Sequence, residues 1–179
     1  MSFYSNSTYG TVVHSADGYQ QKILANDGSD LANTTLATQS ALSIPLGGYE
    51  RVMGKYTIWY DSDDTNEFKF AIKNLDSSDA AIATTIYTDV TARVEESTGA
   101  DTPAAANIEG TGTYSADGAG EIITVDVGAA TSGLFLGVEF NALVTAATKG
   151  NLVFQAALIT GSASGTHLLA GSNVVYKKW

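Results

Sequence analysis

Large apolar side chains recur at every second position along much of the chain. Phe68, Phe70 and Ile72, for example, are separated by Lys69 and Ala71. Such alternation is the signature of a β-strand with one face buried and one in water, whereas a helix would scatter these side chains around its cylinder. The pattern therefore predicts a strand whose outer face is solvated.

The same alternation predicts many more strands. In residues 82–95, Ile82, Ile86, Val90 and Val94 all occupy even-numbered positions, that is, one parity and one face of a strand. Residues 134–145 carry Leu134, Leu136, Val138, Phe140, Ala142 and Val144 on one parity. Further strands are predicted at residues 9–14, 19–24, 41–46, 50–60, 121–127, 151–159 and 174–177. A total of about eight to ten strands is typical of an all-β sandwich or barrel.

Turn residues separate these strands and define the domain organisation. The pairs at 17–18, 27–28, 47–48 and 117–118 contain glycine, which tolerates positive φ. Residues 97–107 lack strand periodicity and are predicted to form a surface loop. The polar residues 1–8 are predicted to form an N-terminal arm, and residues 9–179 a single domain.

Composition restricts the function further. The chain has 179 residues, no cysteine and a formal net charge of −10 with nine Lys and Arg, so disulfides and thiolate metal sites are excluded. An acidic surface repels phosphates, which argues against direct nucleic-acid binding. No apolar run approaches the roughly 20 residues of a membrane helix, so no membrane contact is expected.

Catalytic signatures are missing from the sequence. The two histidines, His14 and His167, have no metal-ligand spacing, and there is no Gly-x-Ser-x-Gly elbow or phosphate-binding glycine loop. Glu95 and Glu96 are adjacent in a predicted strand and point to opposite faces, so they do not form a catalytic pair. We therefore expect neither an enzyme nor a cofactor.

One acidic segment has the character of a cation site. Asp61, Asp63 and Thr65 are spaced so that their oxygens could face one Ca²⁺ ion. The segment lacks the central glycine and the twelfth-position glutamate of an EF-hand loop, so an acidic hairpin turn is the favoured interpretation.

Aromatic residues provide the candidate contact surfaces. In the strand at 50–60, alternation places Trp59 on the face opposite to Tyr56 and Tyr60, and Trp179 ends the chain. Either the edge of the core or a neighbouring subunit would cover such rings. The interface candidates are Phe3, Tyr4, Trp59, Tyr176 and Trp179.

Two parts of the chain resemble a module of tailed-phage virion proteins. In the first, Ala-Leu-Ser-Ile-Pro-Leu at 41–46 precedes an aromatic strand at 55–60 and Phe-Lys-Phe-Ala at 68–71. In the second, Gly-Asn-Leu-Val-Phe-Gln-Ala-Ala at 150–157 precedes Ala-Gly-Ser-Asn-Val at 170–174. The resemblance implies an antiparallel β-sandwich of jelly-roll type, common in capsid decoration proteins and in head or tail fibres.

The function that this resemblance implies is structural. A chain about one module long is best matched by a capsid decoration or cement protein on the outer surface of the virion, a homotrimer that binds the major capsid protein. The alternative is a receptor- or glycan-binding appendage that uses Tyr49, Trp59 or Tyr60 as a stacking surface. A polysaccharide-cleaving enzyme would need clustered carboxylates, which the sequence does not locate.

Overall fold

Strands dominate the described part of the chain. This computed structural model describes residues 4–7, 10–14, 17–31, 34–61, 68–93, 110–114, 123–125, 134–158 and 166–179. The strands are β1 (Tyr4–Ser7), β2 (Gly10–His14), β3 (Gln20–Ile23), β4 (Ala37–Thr38), β5 (Ile44–Leu46), β6 (Arg51–Asp61), β7 (Phe68–Leu75), β8 (Thr84–Arg93), β9 (Gly110–Tyr114), β10 (Ile123–Val125), β11 (Leu134–Val144), β12 (Gly150–Leu158), β13 (His167–Leu168) and β14 (Asn173–Lys178). A 3-10 turn, Ser40–Leu42, precedes β5.

These strands form two antiparallel sheets. The large sheet has the order β1-β2-β3-β14-β6-β11-β8-β9, and β13 also pairs with β6. The small sheet has the order β10-β7-β12-β4, and β5 also pairs with β12. The predicted all-β, two-sheet architecture is confirmed, and each of the ten predicted strand segments contains an observed strand. The described residues form 14 strands rather than the eight to ten predicted, because the short strands β1, β4, β9 and β13 were not recognised. The jelly-roll connectivity stays a prediction.

Side chains from both sheets meet in one core. Tyr56 of β6 contacts Phe154 of β12 across the sandwich, with ring centroids 5.3 Å apart, and Phe140 of β11 at 5.1 Å. Phe154 in turn stacks on Phe70 at 5.4 Å. Such aromatic pairs add about 0.5–1.5 kcal/mol each beyond the burial of their area. The alternation read from the sequence therefore assigns the inner faces of β6 and β11.

A glycine allows the large side chains of this core to fit. Gly54 is on the inner face of β6, opposite Phe140 on one neighbouring strand and Tyr176 on the other. A Cβ atom at Gly54 would lie 2.8 Å from the Phe140 ring and 2.8 Å from the Tyr176 Cβ. The absence of a side chain at this position lets both rings pack against the strand.

The outer face of the small sheet differs from the prediction. Lys73 of β7 is half-buried, and Ala71 is fully buried although it points away from the core. On β12, the outward side chains of Val153, Gln155 and Ala157 are also buried. The expectation of a solvated outer face on β7 is therefore wrong at Ala71.

Turn geometry agrees with the sequence at one site and differs at another. Gly18 adopts φ +79, as a tight β2–β3 turn requires. In the turn before β6, however, Tyr49 takes the positive φ, at 57°, rather than either preceding glycine. Gly48 is instead required by close approach, because a Cβ there would collide with the backbone of Ala147.

Candidate functional site

Exposed apolar side chains concentrate on the outer face of the large sheet. Trp179 is 58% exposed, Leu143 46%, and Tyr19 and Met53 40% each. The neighbouring residues Val52, Ala142 and Tyr176 point inward and are buried, so alternation fixes the outward direction of the exposed set. Exposed apolar groups clustered on one face mark a contact surface more often than isolated ones do.

Strand register brings these side chains together. The backbones of Trp179 and Arg51 exchange two hydrogen bonds, and Arg51 pairs with Leu143. In the next outward row, Lys177 pairs with Met53. Neighbouring strands lie about 4.8 Å apart, so the two rows form one continuous surface. We call Tyr19, Arg51, Met53, Leu143, Lys177 and Trp179 the aromatic–basic patch.

Lys177 is the centre of this patch. Its Nζ lies 5.5 Å from the ring centroid of Tyr19 and 5.8 Å from that of Trp179. Both distances are within the range of a cation–π interaction, worth about 0.5–1 kcal/mol at an exposed site. The two rings therefore hold the ammonium group at the surface and are themselves held by it.

The patch is positively charged in an acidic chain. Arg51 donates from Nε to the Asn141 amide oxygen at 3.3 Å. Beside the patch, Lys55 is neutralised by Glu139, with 3.2 Å between Nζ and Oε1. No described side-chain carboxylate forms an ion pair with Arg51 or Lys177, so the side chains of the patch carry +2 within a chain whose side chains sum formally to −10. The residues outside it sum to −12.

The interface candidates proposed from sequence fall in different environments. Trp179 belongs to the patch, and Trp59 is half-buried on the outer face of β6. Tyr176 is only 1% exposed, and its hydroxyl lies 2.7 Å from the Gln20 amide oxygen, so its side chain belongs to this chain's own core. Tyr4 lies in β1, which pairs with β2, and Phe3 is outside the described residues.

The predicted stacking surface is not assembled. Tyr60 is fully buried, while Tyr49 is exposed in the turn before β6. Trp59 lies eight residues beyond the first residue of β6, roughly 26 Å along the strand. The three residues therefore do not share one platform.

The described residues include only part of the candidate metal and catalytic groups. Asp61 ends β6 and is half-buried, whereas Asp63 and Thr65 are outside the described residues. Among the residues that the structure describes, no cluster of three or more His, Asp or Glu side chains could hold a metal ion. The Nδ1 atom of His167 lies 3.2 Å from an Asp30 carboxylate oxygen, which is a pairwise contact.

One cavity lies at the edge of the small sheet. Its volume is about 350 Å³, and it opens beside the two-residue strand β4. Its lining consists of Ser29, Asp30, Leu31, Thr35, Ala37, Thr38, Gln39 and Ala156. Five of these eight residues are polar, and Asp30, which is about half exposed, is the one ionisable group among them.

Comparisons with known proteins identify no relative. Neither a protein-family model, nor a curated protein, nor a solved structure matches this chain. In the described part of the chain, no helix has the length and apolar character to cross a lipid bilayer. Among the residues that the structure describes, the aromatic–basic patch is the best-defined candidate site.

Five of the six patch residues were missed from sequence, and only Trp179 was found. The sequence did contain one signal for the patch. Met53 and Leu143 are large apolar residues at strand positions that the alternation predicts to be exposed to water. Their grouping depends on which strands are neighbours, and β14 joins β6 from more than 100 residues away.

Proposed function

We propose that this chain is a structural virion protein that decorates a phage capsid and stabilises it by contact. The observation that carries the proposal is the aromatic–basic patch, an exposed apolar and cationic surface on a sandwich whose described residues hold no metal-ligand cluster. Tyr, Trp, Met and Arg are the residue types enriched at protein–protein contacts. The resemblance of residues 41–71 and 150–174 to a phage virion module supports the same role.

The proposed mechanism is differential binding. A decoration protein that binds across neighbouring subunits of the expanded shell, and binds the unexpanded shell less well, shifts the equilibrium towards the expanded form. Its effect on shell stability then follows from that difference in affinity. A homotrimer on the outer surface would multiply these contacts through avidity.

The first test is the number of copies per particle. Virions of the phage that encodes this chain would be purified, and the chain quantified against the major capsid protein by mass spectrometry. Hundreds of copies per virion, whose removal lowers the temperature of genome release, would support decoration. A few copies or none would contradict it.

A glycan-binding appendage is the second candidate, and one observation favours it. The rings of Trp179 and Tyr19 are both exposed and flank one cation, an arrangement that can stack on a sugar ring and bind an anionic substituent. A glycan array would support this candidate if binding were lost in Trp179→Ala. No binding to any glycan would remove it.

A further inference from the structure

We infer that the aromatic–basic patch docks on an acidic protein surface of the capsid, with Trp179, Met53 and Leu143 as the apolar contact and Lys177 and Arg51 as the charged contacts beside it. This inference rests on the proposed function, and it adds the face of the sandwich that binds and the chemistry of the surface it meets.

The composition of the patch favours a protein partner over a sugar. A sugar-binding platform needs exposed rings, but it gains little from flexible aliphatic side chains. Here Met53 and Leu143 continue the apolar surface beyond Trp179 across β6 and β11. A central hydrophobic contact with a polar rim is the usual anatomy of a protein interface.

The charge distribution selects an acidic surface and sets the orientation. The residues outside the patch sum to −12, so an acidic partner is repelled by most of the molecule and attracted at the patch. Complementary charge of this kind raises the association rate and suppresses wrong orientations. An acidic shell surface would therefore be approached through the outer face of the large sheet.

Lys177 is held in advance in the position that such a contact needs. Its ammonium lies between two rings, and no described carboxylate pairs with it. Less side-chain entropy is lost when a carboxylate of the partner binds an ammonium that is already ordered. Arg51, next to Trp179, supplies a second cation at the same surface.

The test uses shells purified from virions and stripped of this chain. Binding of the wild-type chain would be measured by co-sedimentation over a series of salt concentrations, beside Lys177→Glu, Trp179→Ala and a control, Lys149→Glu. Lys149 is exposed in the connection between β11 and β12, outside the patch, and its variant carries the same change of charge. Circular dichroism would confirm that each variant is folded.

The inference predicts at least about tenfold weaker binding for Lys177→Glu and Trp179→Ala, little change for Lys149→Glu, and weaker wild-type binding as salt rises. If the wild type binds and all three variants bind equally well, the inference is overturned while the decoration function stands. If the wild type does not bind, both are overturned. Patch-dependent binding to alginate, a polyuronate, without binding to shells would replace the protein partner with an anionic glycan.

Discussion

The outer faces of the two sheets have opposite characters. On the large sheet, Met53, Leu143 and Trp179 point outward and are substantially exposed. On the small sheet, Ala71 and Ala157 also point outward but are 0% and 1% exposed. Both sheets contribute their inner faces to the same core, so burial of the inner face does not determine whether the outer face is exposed to solvent.

This difference separates a face that is available for binding from one that maintains the fold. Ala71 and Ala157, on the outer face of β7 and β12, are surrounded by protein atoms, so a short charged side chain at either position would be buried. The outer face of β6, β11 and β14 has room for long side chains and charged groups. Function is therefore expected on the large sheet and stability on the small one.

The largest expected effect comes from placing the same carboxylate on each outer face. Ala71→Asp would introduce a short charged group at a fully buried position, and we expect a loss of about 3 kcal/mol or more in the free energy of unfolding. Leu143→Asp carries a similar penalty for aspartate in a strand, but its carboxylate reaches water, so a loss of about 1 kcal/mol or less is expected. Urea denaturation of both variants measures the contrast. Equal losses would show that the two faces are not different.

The second prediction concerns pH and the inward face of β6. Burial raises the pKa of Tyr56, with a further contribution from Tyr176, and burial raises the pKa of Tyr60. In the unfolded chain both phenols lose their protons near pH 10, whereas the folded chain keeps them. The contribution of these two tyrosines to stability is therefore fully present below about pH 10 and is lost above it, by about 1.4 kcal/mol per pH unit for each tyrosine that remains protonated in the folded chain.

Substitution of one tyrosine checks this assignment. Tyr56→Phe removes one titrating group, so its stability should fall less steeply than that of the wild type between pH 10 and pH 11. At pH 7 it should cost about 1 kcal/mol, because the weak 3.4 Å hydrogen bond from the hydroxyl to the Leu42 carbonyl is lost. Unfolding curves at a series of alkaline pH values provide the measurement. A slope unchanged from wild type would contradict the role of Tyr56.

Adjacent lysines on β14 sharpen the comparison within a single strand. Lys178 is inward and half-buried, donates to the Pro45 carbonyl at 2.8 Å and forms an ion pair with Glu50 at 3.2 Å. Lys178→Met loses both contacts, but it relieves repulsion with Lys22, whose pKa is lowered by burial and then by Lys178. The expected net loss is about 1 kcal/mol. Lys177→Met, on the outer face, exchanges the cation–π contacts with Tyr19 and Trp179 for sulfur–aromatic contacts with the same two rings, so the net change in the free energy of unfolding should be less than about 0.5 kcal/mol.

Thermal and urea denaturation of the two methionine variants make the comparison. The order of the two effects is the informative quantity, because both substitutions remove one charge and keep a long side chain. A larger loss for Lys177→Met would mean that the patch stabilises the fold rather than remaining available for binding.

The alternation of apolar and polar residues predicts part of this molecule and leaves another part undetermined. Alternation identified the strands and the inner faces of β6 and β11, because side-chain direction in a strand is a local property. It did not predict the burial of Ala71, since an alanine on the outer parity is compatible with either water or protein. The patch was also beyond local reasoning, because Lys177 and Met53 are neighbours only through the pairing of β14 with β6.

The smallest expected effect on stability tests the patch most directly. The Lys55–Glu139 ion pair is exposed on both sides, with 48% and 65% of the two side chains accessible. Such pairs contribute about 0–1 kcal/mol, so Glu139→Gln should change the free energy of unfolding by less than about 0.5 kcal/mol.

The substitution nevertheless leaves Lys55 without its carboxylate beside Met53, and so raises the local side-chain charge from +2 to +3. If the patch docks on an acidic shell surface, Glu139→Gln should bind stripped shells more tightly than wild type at low salt, and the gain should vanish as salt screens the added charge. Tighter binding that persists at high salt would point to lost steric hindrance instead, and weaker binding would show that Glu139 itself contacts the partner.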